Sequence, residues 1–125
     1  MKRILLDTHV FLWWRQGGEE LQPAARAAIR DAEVVYVSLA SAWEASIKIG
    51  LGRLRLPAPF AAGVEASRFE PLGITFAHAE EVARLPLLHR DPFDRMLVAQ
   101  ARVEGLWLVS RDELVLAYEV RSIQA

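Results

Sequence analysis

Residues 3–14 read RILLDTHVFLWW and residues 23–38 read PAARAAIRDAEVVYVS. In the first stretch Arg3 to Leu6 has the apolar run of a short buried strand, and THVFLWW has the apolar density of a helix packing beneath it. Gly17 and Gly18 then break the chain. In the second stretch PAARAAIRDA is rich in helix formers, with Pro23 at a permitted first-turn position. VVYVS is β-branched and aromatic, hence a strand. Strand, helical crossover and strand make one βαβ unit, which implies a parallel pair.

The same alternation continues outward from this unit. Leu39 to Ile49 is a helix whose apolar face is marked by Leu39, Ala40, Trp43 and Ile47, ending near Gly50 and Gly52. PAPFAAGVEASRF, residues 57–69, reads as a further helix, PLGITF, residues 71–76, as a short strand, and AHAEEVARL as a helix stopped by Pro86. Asp91 and Pro92 open a helix that runs through Glu104, LWLVS is a strand, and YEVRSIQ offers a last short one. Strands alternating with helices point to an α/β fold, a central parallel sheet covered on both faces. The length of 125 residues suits a single domain over residues 1–125, without repeats, linkers or low-complexity tracts.

Composition narrows the chemistry. With no cysteine there is no disulfide, thiolate zinc site or thiol nucleophile, so any metal must be held by oxygen or imidazole. No stretch approaches the roughly 18 apolar residues of a membrane span, and the expectation is a soluble, unexported, cytoplasmic protein. A net charge of −1 gives no global attraction to nucleic acid. Bases gather locally, with Lys48, Arg53 and Arg55 in one segment and His89, Arg90 and Arg95 in another.

Four acids lie where an element begins or ends or one helix follows a strand: Asp7, Glu44, Asp94 and Asp112. Asp7 and Asp112 follow strands directly. Glu44 lies two turns into a helix that starts at a strand's carboxyl end, and Asp94 opens a helix leading back to a strand. All four therefore face the carboxyl edge, where open α/β sheets place their sites. Clustered carboxylates suit a hard cation such as Mg2+ or Mn2+, and that pairing supports phosphodiester hydrolysis. Without a cation they repel one another and at least one pKa rises.

Each acid also has a local structural reading. Asp91 before Pro92 is an N-cap, Asp94 suits the third position of a capping box, Asp7 can cap the following helix, and Asp112 can end a strand with a turn. Convergence on one edge is what favours function. Lys48 can pair with Glu44 one turn away. Thr8, Ser38, Ser41 and Ser110 lie beside the acids as candidates to orient them or to cap. His9 and His89 are candidate ligands or proton carriers, although packed or surface histidines are commoner. Trp13, Trp14 and Trp43 suit a core or a dimer contact. The motifs GxxxxGKS, GxSxG and HExxH are missing, which removes support for nucleotide-switch, serine-hydrolase and zinc-protease chemistry.

The segments LLDTHVFLWW, SAWEASIKIGLGRLRLP, HRDPFDRMLVAQA and LVSRDELVLAY, in this order and spacing, resemble the PIN-domain family, specifically VapC-type toxins of prokaryotic type II toxin–antitoxin pairs. The resemblance spans essentially the whole chain. It implies a PIN-like α/β/α sandwich with a parallel sheet of four to five strands, and a magnesium- or manganese-dependent endoribonuclease acting on RNA of the transfer or ribosomal class. It identifies Asp7, Glu44, Asp94 and Asp112 as the matching acids. It also implies a homodimer and a cognate antitoxin whose tail enters the acidic groove, commonly with a basic side chain among the carboxylates. A catalytically inactive PIN-like interaction module is the alternative. A haloacid-dehalogenase-type phosphatase also places Asp after its first strand, but it needs a second Asp where His9 stands.

Overall fold

The computed structural model describes residues 1–125. Its strands are β1 (Arg3–Leu6), β2 (Val34–Ser38), β3 (Glu70–Leu72), β4 (Trp107–Ser110) and β5 (Ser122–Gln124), joined in one five-stranded sheet ordered β3-β2-β1-β4-β5. Every neighbouring pair is parallel. Helices α1 (Thr8–Gln16), α2 (Pro23–Asp31), α3 (Leu39–Gly50), α4 (Phe60–Ala66), α5 (Phe76–Val82), α6 (Pro92–Glu104) and α7 (Glu113–Leu116) flank it.

Successive residues of β1 feed opposite cores. Ile4 and Leu6 join Phe11 of α1, Ile29 of α2, Val64 of α4 and the β2 residues Val35 and Val37. Leu5 joins Leu108 of β4, Leu97 and Val98 of α6, and Val115 of α7. A strand buried on both faces requires consecutive apolar residues, which is why the run ILL is unbroken.

The chain passes from β1 to β2 and β3 on one side, then crosses back beyond β1 to β4 and β5. Strand order thus reverses between β1 and β4, and a crevice opens at their carboxyl ends. Helix α3 starts directly at the end of β2, where the Ser38 Oγ accepts from the Ala40 N–H at 3.0 Å. It packs against both α1 and α6, closing one side of the crevice.

Helix α3 forms where the sequence places it, but the apolar face is only partly covered. Leu39, Trp43 and Ile47 are 51%, 61% and 41% exposed, and the buried side is formed by Ala40, Ser41, Glu44 and Ala45. The helix is seated on small side chains, and its bulky stripe is left outside. The strand expected over 71–76 is displaced: β3 ends at Leu72, and Thr75 caps α5. There the Thr75 Oγ1 accepts from the His78 N–H at 3.2 Å while the Thr75 N–H donates to His78 Nδ1 at 3.0 Å. This is a capping box with histidine where Glu or Gln is usual, so its sequence signature is hidden. Pro57 and Pro59 hold the start of the 57–69 segment out of helix, which shortens α4. No helix is long and apolar enough to cross a membrane.

Candidate active site

Asp7 leaves the end of β1 and is pinned on both carboxylate oxygens. Oδ1 accepts from the Val10 N–H at 3.0 Å, capping α1, and Oδ2 accepts from the Ser110 hydroxyl at 2.6 Å. Its own N–H donates to Val109 O at 3.0 Å, continuing the β1–β4 ladder past the last strand residue. The capping and site readings are therefore compatible, because a single rigid carboxylate serves both.

Glu44 is buried on the inner side of α3. The Thr8 hydroxyl donates to its Oε1 at 2.7 Å and lies 2.9 Å from the Ser41 hydroxyl, while Lys48 pairs with Oε2 at 3.2 Å. Thr8 thus orients an acid, with Ser41 behind it, and Ser110 orients another. Ser38 acts as a helix cap instead.

At the head of α6 the two aspartates divide their tasks. Asp91 Oδ1 accepts from the N–H groups of Phe93 and Asp94 at 2.8 and 3.2 Å, an N-cap with Pro at the first helical position. Asp94 is left free of capping and faces the crevice. Asp112 caps the short α7 through Oδ1, which accepts from the Leu114 N–H at 2.8 Å. Its Oδ2 lies 3.3 Å from His89 Nε2, and the same nitrogen lies 2.9 Å from Asp94 Oδ2.

Asp7, Glu44, Asp94 and Asp112 line one cavity of about 440 Å3, together with His9, Trp13, Lys48, His89, Asp91 and Arg111. Arg111 was not marked by the sequence reading, although it adjoins Asp112. Its guanidinium lies 4.3 Å from the Trp13 ring centroid and donates to Ala125 O and to Glu20 O. Other candidates lie elsewhere. Trp14 packs on Phe69, Trp43 meets Phe93 edge-on outside, Arg55 lines a separate cleft, and Arg95 is spent on Val82 O, Pro86 O and the Tyr118 hydroxyl.

Five carboxylates and only two permanent cations, Lys48 and Arg111, line this cavity. Burial, with the neighbouring Asp91 and Asp7 charges adding to it, raises Asp94 from its ordinary value of 3.8 to about 7. Burial also raises Asp7, against the opposing hydrogen bond from Ser110. Such a site lacks positive charge. Its donors are carboxylate oxygens with the imidazoles of His9 and His89, and His89, Asp94 and Asp112 each bring a donor atom within 4.8 Å of the others. The carboxylate oxygens fit a hard divalent cation such as Mg2+ or Mn2+.

The raised Asp94 carboxyl makes stability depend on pH in a known direction. Well below its ordinary value of 3.8 the group is protonated in both folded and unfolded chains, and no penalty exists. As pH rises towards 7 the unfolded chain ionises while the folded group resists, so the metal-free fold loses stability across that window and carries the full penalty above it. In EDTA at pH 8, Asp94→Asn is expected to raise Tm by roughly 5 °C, with the gain vanishing well below pH 3.8. Calorimetric scans across pH check this, and a lower Tm for the variant at pH 8 would contradict it.

Residues 4–119 match the model of the PIN domain. Ribonuclease VapC22 of Mycobacterium tuberculosis (strain ATCC 25618 / H37Rv) is 32% identical over 115 residues, covering 90% of this chain and 88% of that protein. Among solved structures, VapBC2 from Rickettsia felis, bound to a promoter DNA fragment, superposes with a TM-score of 0.73 at 10% identity, covering 98% of both chains. A toxin–antitoxin complex from Klebsiella pneumoniae superposes with a TM-score of 0.66 at 19% identity, covering 96% of this chain and 95% of that one. The sheet order, the acids gathered at its strand reversal and these matches together make the chain a member of the PIN-domain family.

Proposed function

We propose that this chain is a divalent-metal-dependent endoribonuclease and serves as the toxin of a toxin–antitoxin pair. The observation that carries the reading is the meeting of Asp7, Glu44, Asp94 and Asp112, from four separate segments, in one cavity deficient in cations. The similarity to a ribonuclease over nine-tenths of the chain supports the choice of RNA as substrate.

Asp7, Glu44 and Asp94 would hold the ion, and Asp112 would complete the set or orient the attacking water. Bound Mg2+ or Mn2+ would supply the Lewis acidity that polarises a phosphoryl oxygen and eases deprotonation of water. The chain itself contributes rigidity. Ser110 and the Val10 N–H fix Asp7, and Thr8 fixes Glu44, so the carboxylates need little reorganisation when the ion enters. Lys48 and Arg111 on the cavity wall attract the phosphates flanking the scissile one and offset part of the repulsion between acids and polyanion. The RNA target is of the transfer or ribosomal class.

Two protein partners complete the reading. A cognate antitoxin carrying a basic side chain would answer the same charge deficit and so compete with ion and RNA. A second copy of this chain would cover the exposed stripe of Leu39, Trp43 and Ile47, which borders a cavity of about 570 Å3 lined by Ile74, Leu87 and Phe93. Bulky apolar side chains outside a complete core are the material of a homodimer contact.

Purified, antitoxin-free protein is expected to cut total and transfer RNA into discrete fragments with Mn2+ or Mg2+ and not with EDTA. Asp7→Asn is expected to keep its circular dichroism spectrum and lose roughly two orders of magnitude or more in rate. Undiminished cleavage by folded Asp7→Asn would refute the reading; no cleavage and only weak, nonspecific ion uptake by folded, inhibitor-free wild type would favour the inactive interaction module. In sedimentation the wild type is expected at twice its 14.0 kDa monomer mass and Trp43→Asp at the monomer mass. A monomeric wild type would remove the homodimer.

A further inference from the structure

His89 occupies a built position. Its loop, between α5 and α6, is tied down by Tyr118, whose hydroxyl oxygen accepts from the N–H groups of Leu88 and His89 at 3.2 and 2.9 Å. Arg95 donates to that same hydroxyl at 3.0 Å and to Pro86 O at 3.0 Å. Tyr118 is 4% exposed. Two buried or half-buried side chains thus aim one imidazole at the crevice.

The ring's two nitrogens face different kinds of group. Nδ1 meets the Asp91 N–H at 3.3 Å, so in the neutral ring it is the acceptor and Nε2 carries the proton. That N–H is hydrogen-bonded to Asp112 Oδ2 at 3.3 Å, and Asp94 Oδ2 lies 2.9 Å from the same nitrogen, to the side of the bond. These two carboxylates sit at the heads of α6 and α7, the helices before and after β4, and would otherwise repel each other. A direct metal ligand would need the reverse arrangement, with Nε2 bare and a proton on Nδ1 pressed against the Asp91 N–H.

We infer that His89 is a positioning residue: its Nε2, hydrogen-bonded to Asp112 and in close contact with Asp94, bridges the two and sets the spacing at which these carboxylates meet a divalent ion. The inference rests on the metal-site reading above and adds a residue to it. His89 does not coordinate the ion. Removing the bridge lets the two carboxylates swing apart, and the site then binds the ion more weakly. Glutamine can extend an amide N–H to about the place of Nε2 and restores the bridge, whereas alanine cannot.

The test is Mn2+ binding to chelator-stripped protein, followed by electron paramagnetic resonance of the free ion, for wild type, H89A, H89Q and D94N. Expected are a Kd raised about tenfold or more in H89A, the scale for groups that orient metal ligands, and recovery to within about threefold of wild type in H89Q. Pulsed resonance on Mn2+-loaded wild type is expected to show no nitrogen-14 coupling of a directly bound imidazole. An unchanged Kd in H89A, no recovery in folded H89Q, or a directly bound nitrogen would each overturn the inference. D94N separates the two layers: if D94N weakens binding and H89A does not, only the role of His89 falls, whereas tight binding in D94N or none in wild type removes the metal site itself.

Discussion

The hydrogen bond from the Ser110 hydroxyl to Asp7 Oδ2, 2.6 Å long, joins the carboxyl ends of β1 and β4 at the point where strand order reverses. The register of the two central strands and the position of the first acid are therefore one constraint. Val109 O takes the Asp7 N–H, Ser110 takes the side chain, and Asp112 follows two residues later. Helix α6 feeds β4, so the same register that places Asp112 also brings Asp94 at the start of α6 back to the crevice. The site is a consequence of sheet order, and Asp7, Asp94 and Asp112 take their places from the helices they open.

That arrangement works against stability. Burying carboxylates beside one another is unfavourable, and Asp94 answers by holding its proton to about pH 7. A core region optimised for stability alone would put hydrogen-bonded neutral groups there. The hydroxyls of Thr8, Ser41 and Ser110 lower the penalty without neutralising the charge. What remains is a site with fixed acids and few cations, and it is on this imbalance that the proposed divalent ion rests.

Much of this was legible from the residues. The unbroken ILL, the β-branched VVYVS and the Asp-Pro pair declare their elements through local chemistry, and the four acids follow once the elements are ordered. The exposure of the α3 stripe is not legible in the same way, because Leu39, Trp43 and Ile47 form a good helical stripe and periodicity reports that a stripe exists, not whether this chain or another covers it. The cap at Thr75 was hidden by histidine in a glutamate's role. One-turn α7 is too short to have a period, and Asp112 announces it only as a cap. Arg111 and the His89 bridge depend on the packing of a loop against Tyr118 and of a side chain over Trp13, and those contacts span separations with no local sequence signature.

The central claim is that these carboxylates share one divalent ion, and anomalous diffraction from crystals of the chain grown with Mn2+ tests it most directly. The account predicts a single strong anomalous peak inside the crevice, in bonding distance of Asp7 and Asp94, with the His89 ring turned towards Asp94 and Asp112 and not bound to the ion. A crevice without a peak at saturating Mn2+, or a peak held by other residues, would contradict it.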